Sequence, residues 1–167
     1  MGKFLTPDAY VKSIHSITAE SLKAHGISGL IIDIDNTLVP THAKDADIKI
    51  KSYIEGLKAA GIKAVIVSNA RKERVEHFCR ALEIDYVYKA LKPFKRGYRD
   101  AMNIMGLTPE RIAIIGDQLF TDILGGNLLG MKSILIEPID PDEPLLIKFK
   151  RIIEKPFIHG KIFLDNF

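Results

Sequence analysis

The chain has 167 residues, 47% apolar and 27% charged, with a net charge of +3 and a single cysteine. That length suits one domain able to bury about 70% of the surface its unfolded form exposes, and the composition excludes collagen, low-complexity disorder and a disulfide-stapled miniprotein. The charge is too small to imply nucleic-acid binding, and lone Cys79 can form no internal bridge, which suits a reducing compartment.

In chain order, Thr6-Pro7-Asp8 reads as the start of a short helix, within a helical lead-in over 4–26. Residues 29–33 form an apolar run that predicts a buried strand. Ile50, Tyr53, Ile54 and Leu57 follow helical spacing, and Gly61 ends that helix. A strand is predicted over 63–67. Val75, Phe78, Cys79 and Leu82 line one face of the next helix, which makes Cys79 a core residue. A weaker strand covers 85–88, and Thr108-Pro109-Glu110 turns the chain into strands over 111–115 and 132–136. Short apolar runs without alternation suit strands covered on both faces. The prediction is an α/β fold: one domain over 1–167, with a parallel sheet of about five strands flanked by helices.

The segment 145–167 differs in character. Lys148, Lys150, Arg151, Lys155 and Lys161 face only Glu154 and Asp165, with Leu145, Leu146, Ile147, Phe149, Ile152 and Ile153 interleaved. Two readings stand: a helix packed on the sheet with a solvated basic face, or contact with an anionic surface. No apolar run approaches the ~18 residues of a membrane span, and the first residues lack the apolar stretch of a secretory signal. A cytoplasmic protein, at most peripheral to a membrane, is expected.

Open α/β sheets bind ligands beyond the carboxyl ends of their strands, and the polar clusters fall there. Asp33-Ile34-Asp35-Asn36-Thr37 follows the first predicted strand, Ser68-Asn69 the next, Lys92-Pro93 the weak one, and Gly116-Asp117 with Asp122 the fourth. Carboxylates converging from two strand ends repel unless a cation holds them, and hard oxygen ligands suit Mg²⁺. Ser68 and Lys92 add a hydroxyl and a positive charge, which developing phosphoryl oxygens require. A carboxylate can itself attack phosphorus. The five histidines form no ligand-spaced set for zinc.

The order Asp-x-Asp-x-Thr, Ser, Lys-Pro, Gly-Asp-x-x-x-x-Asp resembles the haloacid dehalogenase-like (HAD) phosphohydrolases with their Rossmann-like fold. Residues 4–12, 35–39, 67–69 and 116–127 look like the YqeG-type subfamily of class IIIA. The resemblance implies that Asp33 is the nucleophile, that Asp35 is general acid and then base, and that Lys92 neutralises the phosphate. It implies that Ser68 and Asn69 bind the phosphoryl group, with Thr37 supporting the loop. Mg²⁺ would be held by Asp33, the Asp35 carbonyl, Asp117 and Asp122. Gly125, Gly126 and Asn127 read as helix packing and turn geometry, with support of Asp117 the alternative for Asn127. Thr41-His42 stands where the subfamily carries Trp-Asp, and Leu128 where Arg often follows Gly-Gly-Asn.

The 35 positions from Asp33 to Ser68 and the 24 from Ser68 to Lys92 leave no room for a cap domain. An open site suits large substrates or headgroups presented on a surface. Mitochondrial relatives act on phosphatidylglycerophosphate, so that lipid is the candidate substrate and an anionic membrane the candidate partner. A partner chain could also complete the site. The competing reading is an interaction or assembly factor, linked to RNA or the ribosome, that retains a phosphatase fold. A phospho-receiver domain fits less well, because its acceptor Asp lies at the third strand.

Overall fold

The structure, a computed structural model, describes residues 2–143, 145–158 and 167. The end of the basic C-terminal segment, including Lys161 and Asp165, lies outside the described residues.

Strand β1 (Ala9–Val11) follows Thr6-Pro7-Asp8 directly, where the sequence predicts a helix. Asp8 caps no helix. Its carboxylate accepts from the Ser133 N–H at 2.9 Å and from Lys132 Nζ at 3.1 Å, and its own N–H donates to the Ser133 carbonyl at 2.8 Å. These partners lie about 125 positions away, beyond the reach of any local pattern. The rest of the lead-in holds 3-10 turns at Gly2–Leu5 and Ile14–Ser16 and helix α1 (Ala19–Ala24), whose cap Thr18 accepts from the Ser21 N–H at 3.1 Å.

The chain then alternates as predicted: β2 (Gly29–Ile32), α2 (Ile48–Ala59), β3 (Lys63–Val67), α3 (Lys72–Leu82), β4 (Asp85–Val87), α4 (Lys95–Met105) and β5 (Ile112–Gly116). A π-helical turn over Leu119–Ile123 runs into α5 (Leu124–Asn127), followed by β6 (Lys132–Ile136) and α6 (Leu145–Ile158).

All six strands are parallel, in the order β1-β6-β5-β2-β3-β4. The sixth, beyond the five predicted, is β1. From β2 the chain winds outward to β3 and β4, then returns to lay β5 on the other side of β2. The direction of winding therefore switches between β2 and β5, where a crevice opens at the strand ends. Ile32 is level with both Ile66 and Ile115, so Asp33 and Asp117 emerge close together.

Alternate residues of the sheet feed two layers. Leu30, Ile32, Ile66 and Ile115 pack with Leu22, Ile54 and Phe78 on one face, while Ile31, Val65 and Ile114 pack with Tyr98, Ala101 and Met105 on the other. Cys79 lies in the first layer, where burial pushes its thiol up to about 12. It is a core residue, as its helical spacing predicts. One loop and α2 separate β2 from β3, and α3 alone separates β3 from β4, so no cap domain interrupts the crevice.

Candidate active site

The sharp turn after β2 begins at Asp33, whose N–H donates to the Ile115 carbonyl at 3.0 Å. Asn36 adopts a left-handed φ of 59°, conformationally cheaper for Asn than for most residues. Its side chain ties this turn to the loop after β6, donating to the Asp140 carbonyl at 3.0 Å and to Glu143 at 2.7 Å. Asp33 is buried, and Lys92 Nζ reaches its Oδ1 at 2.7 Å and Asp122 Oδ1 at 2.7 Å. Lys92 is itself buried and fixed through its backbone, its N–H donating to Asn69 Oδ1 at 2.8 Å.

Asp122 approaches because position 116 is glycine. A Cβ there would lie 2.3 Å from the Asp122 carboxyl carbon. The carboxylate also accepts from the Gln118 N–H at 3.2 Å. Gly125 serves a similar purpose one layer out: a Cβ would meet the Tyr98 ring at 2.3 Å, and Tyr98 Oη donates to the Thr121 carbonyl at 2.8 Å. Oxygens of Asp33, Asp117 and Asp122 all lie within 4.8 Å of one another, and all three residues are buried. The donors are all hard oxygens, so the cluster fits a divalent cation such as Mg²⁺.

Asp35 stands apart from this cluster. Arg74 of α3 donates to its Oδ1 at 2.5 Å and to the Ala43 carbonyl at 2.8 Å. Ser68 Oγ accepts from the Ala70 N–H at 3.1 Å. Thr37 Oγ1 donates to Asp117 at 3.5 Å. A pocket of about 170 Å³ is lined by Asp33, Asp35, Ser68, Asn69 and Lys92, with Ile147 and Lys150 of α6 at its edge. The topology thus brings Asp33, Asp35, Ser68, Asn69 and Lys92 to one pocket, with Thr37, Asp117 and Asp122 beside it. Asn127 has a packing role: it donates to the Phe4 and Thr6 carbonyls at 2.9 and 3.1 Å, tethering the N-terminal segment, and the alternative of supporting Asp117 is set aside.

Sequence reasoning missed two arginines. Arg74 lies in the first turn of α3 and carries no local signal. Arg151 of α6 reaches Asp117 with both terminal guanidinium nitrogens, one on the carboxylate and one on the carbonyl. It also forms a bidentate pair with Glu143, at 2.7 and 3.1 Å. Buried Glu154 accepts from the Phe120 N–H at 3.1 Å and lies 3.5 Å from Arg151. Helix α6 keeps Lys148, Lys150 and Lys155 in solvent but differs from the packed-helix expectation in what it turns inward. Its ionic residues Arg151 and Glu154 face inward, while Leu145, Phe149, Ile152 and Ile153 are exposed. The buried carboxylates at the carboxyl end of the sheet demand a cation, and Arg151 supplies one. Glu154, the one acid among the described residues of the helix, three positions from Arg151, was the available signal.

Burial pushes the Asp33 carboxyl up to about 7 and Asp117 up to about 8, while Lys92 and Arg151 respectively pull them back. The unfolded chain releases these protons near 3.8. Between there and about 8 the folded, metal-free protein holds protons that the unfolded chain has lost, so rising pH costs stability across that window. In EDTA the urea midpoint should fall from about pH 5.5 to 8, and Mg²⁺ should stabilise more at the upper end. A midpoint that rises across the window would contradict this account of the cluster.

Comparison with known proteins agrees with the geometry. The profile of the family described as mitochondrial PGP phosphatase matches residues 2–140. A probable phosphatase, YqeG, of Bacillus subtilis is 40% identical over 155 residues, covering 93% of this chain and 90% of its own. The Arabidopsis thaliana phosphatidylglycerophosphate phosphatase 1 is 28% identical over 162 residues. The match covers 91% of this chain and 47% of that one, so the chain spans about half the length of the plant relative. Among solved structures, the cobalt-bound deoxy-D-mannose-octulosonate 8-phosphate phosphatase of Haemophilus influenzae superposes with a TM-score of 0.57 at 18% identity, over 81% of this chain and 90% of that one. That likeness establishes the fold. The chain belongs to the mitochondrial PGP phosphatase family of HAD-type phosphatases and is a phosphoric monoester hydrolase.

Proposed function

We propose that the chain hydrolyses a phosphomonoester by Mg²⁺-dependent attack of Asp33 on phosphorus, and that phosphatidylglycerophosphate is its substrate. The observation that carries the reading is the buried triad of Asp33, Asp117 and Asp122 closed by Lys92, at the mouth of an uncapped crevice.

Asp33, Asp117, Asp122 and the Asp35 carbonyl would hold the ion, which supplies positive charge to the phosphoryl oxygens and the nucleophile. Asp33 is held 2.7 Å from Lys92, which keeps a positive charge beside it. Its carboxylate oxygen attacks phosphorus and forms an aspartyl-phosphate, while the phosphorus–oxygen bond to the leaving group breaks. Asp35 gives its proton to the departing alkoxide, then takes a proton from the water that attacks the same phosphorus. Phosphate leaves and Asp33 is regenerated. Ser68 and Asn69 orient the phosphoryl group, and Lys92 offsets its charge. Arg74 must yield Asp35 for this exchange, since the two are paired at 2.5 Å.

The lipid substrate is supported by the Arabidopsis relative's name and by the open crevice, which admits a headgroup still embedded in a surface. Among the described residues no helix is long and apolar enough to cross a membrane. Phosphate release should be measured with Mg²⁺ against an aryl phosphate, sugar phosphates, nucleotides and phosphatidylglycerophosphate in mixed micelles. The lipid should be preferred, and EDTA should abolish release. Preference for a soluble phosphate would overturn the lipid reading; turnover undiminished in EDTA would overturn the metal dependence.

A further inference from the structure

Arg151 is bound where a cation belongs. Its guanidinium pairs with Asp117, one of the three buried carboxylates whose oxygens converge within 4.8 Å. A single carboxylate bonded to a guanidinium offers fewer lone pairs to a metal, so Arg151 and a divalent cation compete for Asp117. The element that delivers Arg151 has few other attachments. Of α6, Arg151 and Glu154 are tied into the site, Phe157 meets Phe120 edge-on at 6.0 Å, and Ile158 packs beside Leu119 and Ile123.

The opposite face of α6 is apolar and unpaired with any described element. Leu145 is 84% exposed, Phe149 63% and Ile152 61%. The charges flanking this face are Lys148 and Lys155, both positive; Lys148 also reaches Asp142 at 3.1 Å. Large apolar side chains interleaved with lysines match the chemistry of an anionic lipid surface, where aliphatic groups enter the acyl boundary and ammonium groups meet headgroups. Further large apolar side chains are exposed at the rim of the crevice. Ile48 at the start of α2 and Leu91 and Phe94 beside Lys92 are 74%, 66% and 70% exposed. All belong to segments at the carboxyl end of the sheet.

We propose that α6 is a bilayer-operated latch: docking of its outer face on an anionic membrane withdraws Arg151 from Asp117 and so opens the site to its divalent cation. The inference rests on the metal-dependent reading of the triad. Metal binding and bilayer binding are then linked, and each strengthens the other by the same factor. A factor of about 10 lies within the range ordinary for such couplings.

The test uses the full chain, Mg²⁺ titrated calorimetrically, and vesicles of phosphatidylserine and phosphatidylcholine in equal parts, with phosphatidylcholine vesicles as the neutral control. Mg²⁺ should bind the unaltered protein about tenfold more tightly with anionic vesicles than in solution. Arg151→Gln should already bind Mg²⁺ with the tighter affinity in solution, with little further gain from vesicles. Phe149→Ser with Ile152→Ser, both on the exposed face, should keep the solution affinity and lose the vesicle effect. Should Arg151→Gln not fold, the reciprocal measurement on the unaltered chain decides: it should co-sediment with anionic vesicles at about tenfold lower lipid in Mg²⁺ than in EDTA. Equal Mg²⁺ affinity in Arg151→Gln and the unaltered chain overturns the latch. So does vesicle-bound protein whose Mg²⁺ affinity is unchanged. None of these readouts depends on turnover, so loss of the lipid-phosphatase reading and loss of the latch are separable results.

Discussion

Asp33→Asn should reduce phosphate release by about four orders of magnitude or more while leaving the protein folded. The amide is nearly isosteric with the carboxylate, so packing around β2 is kept. It lacks the anionic oxygen that attacks phosphorus, and no neighbouring group can replace it: Asp35 is turned to Arg74, while Asp117 and Asp122 are engaged by Arg151 and Lys92. Above about pH 8, where the metal-free cluster is ionised, the amide also removes one of three like charges. The metal-free variant should therefore unfold at no lower urea concentration than the unaltered protein. Urea unfolding in EDTA alongside a phosphate-release assay checks both halves. Appreciable turnover in a folded Asp33→Asn protein would remove Asp33 from the role of nucleophile.

The second large effect is on stability. Lys92→Ala should cost about 3–5 kcal/mol in the metal-free protein, because truncating one partner of a buried pair leaves the other charges uncompensated. The Lys92 ammonium lies 2.7 Å from both Asp33 and Asp122, and all three groups are buried. Without it two carboxylates face each other with Asp117 close by. Denaturant unfolding in EDTA measures the loss, and saturating Mg²⁺ should recover part of it by binding only the folded state. Combining Lys92→Ala with Asp33→Asn should cost less than the sum of the single changes, since the residues interact directly. Strict additivity would show that the pair does not act as an electrostatic unit.

The catalytic constellation was legible because its parts are local. Asp33, Ser68, Lys92 and Asp117 each follow an apolar run at a strand's carboxyl end, and such runs announce themselves over a few residues. Alternation of strands and helices announces the parallel sheet, whereas the switch between β2 and β5 depends on a strand order that alternation leaves open. What escaped notice depended on distant pairing. Strand β1 is three residues long and takes its register from β6. Asn127 looked like part of the Asp117 motif, yet it reaches back to Phe4 and Thr6. The orientation of α6 escaped for a different reason. Its periodicity defines two faces, but which face is inward depends on buried acids that only the folded sheet assembles.

The pairing of β1 with β6 also has a consequence for synthesis. Residues 9–11 leave the ribosome well before 134–136 and can join the sheet only after those have followed. Central strand β2 likewise waits for β5 on one side. Contacts of such separation carry a large loop-closure cost and form late. The nascent chain therefore holds Asp33 and its turn without Asp117 beside it until β5 has emerged and paired with β2. The cation cluster is complete only when the second half of the sheet closes onto the first.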